Sequence, residues 1–196
     1  VAIGCWDYMD QGGYGMVKGD NLAAAVAHMQ DNGLNAPWAR AGGKNTLFPR
    51  ASADLFDEKG NLVKEPDYTV FDQWVKMWPD AKHYMIYANA YGNFGNDPGE
   101  EKIRQKDLDE TQRRFGLVMK AWANHMRTIG VDPARIVICL IDEPSGSGQA
   151  RDILYYGRAI RAAVPEFKLL EDPVYRPNSY TNYPVFEMLA AMDYVT

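Results

Sequence analysis

The chain has 196 residues, enough to bury a full core as one compact unit, and its 46% apolar and 24% charged residues are ordinary for a soluble globular protein. Its 21 basic residues are scattered and outnumbered by 26 acidic ones, for a formal charge of -5, so a nucleic-acid partner is not expected. No stretch approaches the roughly 20 apolar residues of a membrane span, and Cys5 and Cys139, each inside an apolar strand-like run, read as small buried hydrophobes, not as a disulfide framework or a metal site.

Strand signals begin at once, with Val1 to Trp6. The first helix pattern covers Asp20 to Asn32: Asp20 can cap, Leu22, Val26 and Met29 make an apolar stripe, and Gly33 can terminate. A second strand, Asn35 to Ala39, is followed by a long loop, Ala41 to Pro66, in which L-F-D-E-K-G-N-L-V from Leu55 to Val63 reads as a hairpin. The second helix places Phe71, Trp74, Val75 and Trp78 on one face and stops at Pro79. After a third strand, His83 to Ala88, and a loop from Tyr91 to Lys106, the longest helix begins. There Asp107 and Glu110 have capping-box spacing, and Phe115, Met119, Trp122, Met126 and Ile129 form one face before Gly130. The fourth strand, Arg135 to Ile141, leads to a helix from about Ser147 to Ala163, with Ile153, Leu154, Gly157 and Ile160 on one side and Pro165 beyond its end. A fifth strand, Phe167 to Leu170, a loop from Glu171 to Tyr183, a short helix over Val185 to Ala191 and a strand starting at Asp193 complete the pattern.

Repeated βα units favour an all-parallel sheet wrapped by helices. A doubly wound nucleotide binder would carry a tight Gly-rich turn straight after its first strand. Here Gly12, Gly13, Gly15 and Gly19 are spread over a long loop and no P-loop Lys-Ser/Thr follows. The expected fold is therefore a (β/α)8 TIM barrel of which about five and a half units are present. Residues 1-196 are then the N-terminal and central part of a single catalytic barrel, with the remaining units beyond 196. Long loops after the strands, set against short turns into them such as Gly33-Leu34 and Gly130 to Ala134, put the working surface at the carboxyl ends of the strands.

Those ends are rich in groups that suit a sugar. Trp6 and Asp7 follow strand one, Trp38 and Arg40 end strand two, Tyr87, Asn89 and Tyr91 end strand three, and Glu171, Asp172 and Tyr175 follow strand five. Aromatic faces stack on the C–H faces of sugars while carboxylates, amides and Arg bond the hydroxyls. Each aromatic also has the plainer reading of core or rim packing, and Arg40 that of a structural ion pair. The three histidines form no constellation, so acid-base work falls to carboxylates. The prime pair is Asp142 and Glu143, in R-I-V-I-C-L-I-D-E-P from Arg135 to Pro144. This apolar run is too short and too β-branched to prefer a helix. Burial and the neighbouring Asp142 are expected to raise the pKa of Glu143, as a general acid requires. The plainer reading keeps one carboxylate for the cleft and gives the other to a helix cap or an Arg.

The I-D-E-P run at Ile141 to Pro144, the L-F-D-E-K-G-N-L hairpin and the order of units together resemble the catalytic barrel of family 123 glycoside hydrolases, which share a logic with family 20 β-N-acetylhexosaminidases. The resemblance covers most of the chain. It implies a retaining N-acetylhexosaminidase that uses substrate-assisted catalysis. Asp142 would orient the 2-acetamido group, whose carbonyl oxygen attacks the anomeric carbon, and Glu143 would serve as acid and then base. It further implies no cofactor, an oligosaccharide or polysaccharide substrate, further domains of the same polypeptide, and a secreted or periplasmic location. Two alternatives stand beside it: a retaining barrel with acid/base Glu143 and a nucleophilic carboxylate beyond Thr196, and a non-catalytic carbohydrate-binding barrel. Asp142 stands where the former would normally carry Asn.

Overall fold

A computed structural model describes residues 1–8, 21–40, 47–49, 51–90, 105–174 and 183–195, with the backbone alone for 5–8, 40, 105–108, 183–186 and 195. Among the described residues six strands alternate with five α-helices. They are β1 Gly4–Tyr8, α1 Leu22–Asp31, β2 Ala36–Arg40, α2 Thr69–Met77, β3 Tyr84–Tyr87, α3 Gln105–Thr128, β4 Ile136–Cys139, α4 Ser147–Ala163, β5 Lys168–Glu171, α5 Tyr183–Ala191 and β6 Tyr194–Val195. Every neighbouring pair is parallel and the order is β1-β2-β3-β4-β5-β6. The order does not reverse around β1, as a doubly wound sheet of the dinucleotide-binding type would require. Nor do β1 and β6 pair among the described residues, so what is seen is a parallel α/β sheet with two edges; closure into the expected barrel is not.

Side-chain alternation divides the core in two. Ala39, Ile86, Ile138 and Leu169 join the helical residues Val26, Phe71, Trp74, Met119, Trp122, Ile153, Ile160 and Met188 in one large cluster. Their strand neighbours Trp38, Tyr87, Val137, Cys139 and Leu170 form a second, smaller cluster that contains no helical residue. The helices therefore cover one face of the sheet, and the other face carries its own apolar layer. Trp122 is the hub of the larger cluster, meeting Phe48, Phe71 and Phe167 edge to face with ring centroids 5.3–5.4 Å apart.

The helical stripes read from the sequence face the core, with Leu22, Met29 and Val75 partly buried against it and Ile129 exposed. Gly33 and Gly130 end α1 and α3 with φ of 87° and 78°, the left-handed conformation that a Cβ would oppose. Boundaries differ more. β1 starts at Gly4, so Trp6 and Asp7 lie within it, and its register against β2 shifts between Cys5 and Tyr8, opposite Pro37, which has no N–H for a ladder. Asp107 cannot cap α3, because the helix already runs from Gln105. Glu110 bonds forward instead, to Arg113 at 2.8 Å and Arg114 at 2.7 Å. The Leu55 to Val63 hairpin forms through an antiparallel Phe56–Leu62 bridge. It is seated on α3 by Arg113, which donates to the Gly60 carbonyl at 2.8 Å, and by Arg114, which lies over the Phe56 ring.

Candidate active site

The apolar run before Asp142 leaves the sheet early. β4 ends at Cys139, and Leu140 and Ile141 continue fully buried in the helix-facing cluster. The backbone after β3 follows it, with Ala88 and Ala90 N–H donating to the Cys139 and Leu140 carbonyls at 2.8 Å. Two non-glycine residues with positive φ stand at these adjacent strand ends, Asn89 (54°) and Glu143 (46°). Such conformations cost about 1–2 kcal/mol for a residue with a side chain and collect at functional sites. Asn89 is exposed, and its Oδ1 accepts from the Tyr87 hydroxyl at 3.2 Å. Glu143 is exposed too, and its backbone N–H donates to Asp172 Oδ1 at 3.1 Å. The turn after β4 is thus tied to the residue following β5.

Around that tie the carboxyls gather. Asp142 is half-buried, and its pKa is raised by burial first, then by the charges of Asp172 and Glu143 and by a hydrogen bond shared with the Asp172 carboxyl. Glu171 exposes 0% of its surface. Burial pushes it up to about 9, with Asp172 and Asp142 adding to the rise against the pull of the Leu140 and Ile141 backbone. Its Oε1 accepts from the Leu140 N–H at 3.1 Å, and its Oε2 has no partner among the described residues. Burial pushes the Cys139 thiol well up, and Glu171, Asp172 and Asp142 add to it. The burial expected for Glu143 falls on Asp142 and Glu171, because the chain turns outward at Glu143. The Asp172 carboxyl beside Asp142 thus adds to burial in disfavouring the ionised form of Asp142.

Of the residues singled out from the sequence, Asp142, Glu143 and Glu171 come together. Trp38 and Tyr87 are each 8% exposed and belong to the second apolar cluster, so they pack as a floor and present no open stacking face. Arg40 ends β2 in register with Tyr87, which in turn is in register with Cys139. The side chains of Trp6, Asp7 and Arg40, and all of Tyr91 and Tyr175, lie outside the described residues. Two participants carried no such weight in the sequence: Asp172, which stood there only as one polar residue after strand five, and Cys139, read as a plain core residue. Cys139 Sγ, a Glu171 carboxylate oxygen and an Asp172 carboxylate oxygen lie within 4.8 Å of one another. No helix among the described residues is long and apolar enough to cross a membrane.

No protein-family model matches this chain, and no curated protein sequence matches it. The likeness to family 123 glycoside hydrolases therefore rests on the quoted residues alone. Among solved structures the chain is similar to the GH18 chitinase ChiB from the chitin utilization locus of Flavobacterium johnsoniae, at 14% identity and a TM-score of 0.34 over 88% of this chain. It spans about half, 50%, of that structure's length. A likeness at that score carries no conclusion about the fold or the activity of this chain.

Proposed function

We propose that the chain is part of a glycoside hydrolase that works on 2-acetamido sugars from the carboxyl ends of β4 and β5. The observation that carries this reading is the Asp142–Glu143 pair itself. One carboxyl is half-buried and in hydrogen-bonding contact with Asp172, and the other is presented to solvent on a left-handed turn. Glycosidic cleavage needs one group to protonate the leaving oxygen and another to stabilise or attack the developing oxocarbenium-like centre. Glu143, exposed and fixed through its backbone, is suited to the proton transfer. Asp142 is suited to accept a hydrogen bond from the acetamido N–H, which raises the nucleophilicity of the acetamido carbonyl oxygen and stabilises the positive charge that forms on the ring it closes.

Sequential parallel order, helices on one face and a separate apolar layer on the other are what six strands of a (β/α)8 barrel would have. We take the sheet as such an arc, which puts both turns on the catalytic side of the fold. Substrate, retaining stereochemistry and assistance by the acetamido group all belong to this proposal. The test is hydrolysis of nitrophenyl β-glycosides with and without the 2-acetamido group by the full-length protein. Cleavage confined to the acetamido sugars supports the reading. Equal cleavage of both moves the nucleophile to a carboxylate of the protein, and tight binding of sugars without cleavage of either leaves a carbohydrate-binding module.

A further inference from the structure

Next to the Asp142–Glu143 turn lies a group of side chains in which hydrolysis uses Asp172 to position Glu143 and has no use for Cys139 or Glu171. Cys139 Sγ and the Glu171 and Asp172 carboxylates lie within 4.8 Å of one another. Ligands sharing one tetrahedral zinc at Zn–S of about 2.3 Å and Zn–O of about 2.0 Å stand about 3.3–3.5 Å apart. Binding would draw the atoms together by at most about 1.5 Å. Proximity of acids alone means little, but Glu171 Oε2 is fully buried with no hydrogen-bond partner among the described residues, while its companion Oε1 is held by the Leu140 N–H. A buried, unpartnered carboxyl oxygen costs about 1–3 kcal/mol unless something binds it. Among the described residues the Cys139 thiol makes a 3.6 Å contact to the Ile141 carbonyl. The described charges that face Cys139, Asp142 and Glu171 are all acidic, with Asp142 and Glu143 adding to Glu171 and Asp172 from the end of β4.

We propose that Cys139, Glu171 and Asp172 form a binding site for one thiophilic divalent cation of the zinc type. A sulfur ligand beside two oxygens selects a borderline ion over calcium or magnesium, which take oxygen alone. Three protein ligands leave a fourth coordination position for water. On binding, the Cys139 thiol and the Glu171 carboxyl each give a proton to solvent as their bonds to the metal form, and Glu171 Oε2 gains the partner it lacks. The site does not depend on the hydrolase reading, since no sugar takes part.

The experiment uses the full chain stripped with chelator and titrated with Cd2+, following the ultraviolet charge-transfer band of cadmium thiolate. The expected result is a band that saturates at one Cd2+ per chain, persists in Cys5→Ser and is lost in Cys139→Ser, with added Zn2+ displacing it. Glu171→Gln and Asp172→Asn should each weaken Cd2+ by about tenfold or more, at least what loss of an outer-shell partner costs a metal site. If Cys139→Ser does not fold, those two carboxylate variants decide. Absence of the band in the wild type, a band that follows Cys5, or Cd2+ affinity unchanged in both carboxylate variants overturns the proposal.

Discussion

The Glu143 backbone N–H and the Asp172 carboxylate meet at 3.1 Å, joining the turn after β4 to the turn after β5. Glu143 is held in its left-handed conformation partly by this bond, so the direction of its side chain depends on a residue 29 positions away. Replacing Asp172 with Ala should lower stability by about 1 kcal/mol, the ordinary worth of one such bond. It should cost far more in kcat, because a mobile Glu143 no longer meets the leaving oxygen in one geometry. Asp172→Asn keeps an acceptor oxygen and should recover most of the stability. Denaturant midpoints and kcat for the three proteins check this, and an Ala variant with full kcat would break the link.

Strain at Glu143 has its own signature. Glu143→Ala and Glu143→Gly both delete the carboxyl, yet only glycine accepts a φ of 46° without a Cβ clash. The glycine variant should be more stable than the alanine variant by about 1 kcal/mol, with both inactive toward unactivated glycosides. Equal stability of the two would mean that the turn relaxes when the carboxyl is gone.

Much of this was legible in the sequence, and the gaps have physical causes. Helical stripes such as Phe71, Trp74 and Trp78 mark the core face because burial at helical spacing leaves a periodic trace. Strand ends are less legible. Leu140 and Ile141 are as apolar as the strand before them, and nothing local says that the ladder stops at Cys139. Asp142 and Glu143 stood out because two carboxylates closing an apolar run are conspicuous. The burial of Glu171, its contact with Cys139 and the Asp172 tie are set by the β4–β5 pairing, in which Cys139 lies opposite Leu170, and no local pattern encodes that register.

Glu171 should govern how stability of the metal-free protein responds to pH. Its pKa is raised from 4.5 to about 9 in the folded chain, so between these values the folded state holds a proton that the unfolded state releases. Its contribution is fully present below about 4.5 and is lost as pH rises through about 9, at up to about 1.4 kcal/mol per pH unit in that window. Glu171→Gln is neutral at every pH and keeps an oxygen for the Leu140 N–H. It should flatten the decline, so that the variant overtakes the wild type in thermal melts at pH 8. Parallel melting curves against pH for the two proteins would show that Glu171 ionises without penalty.

The two rim carboxyls are separable by leaving group. Glu143→Gln removes the proton donor, so it should depress turnover of a natural glycoside strongly while sparing the first step on an activated aryl glycoside, whose leaving group needs little protonation. Asp142→Asn weakens orientation of the acetamido group and stabilisation of the oxazolinium-like intermediate, a loss common to both substrates, so kcat/KM should fall for each by a similar factor. A thiazoline analogue of that intermediate should inhibit competitively, and more weakly in Asp142→Asn, because it resembles the species the site stabilises. Burial and the Asp172 charge raise Asp142, so activity that needs Asp142 ionised should be lost on acidification at a higher pH than an ordinary carboxylate would give. Asp172→Asn removes the neighbouring charge and should move that acid limb to lower pH. Indifference to the thiazoline, together with equal activity on sugars lacking the acetamido group, would replace the acetamido oxygen with a carboxylate of the protein as nucleophile.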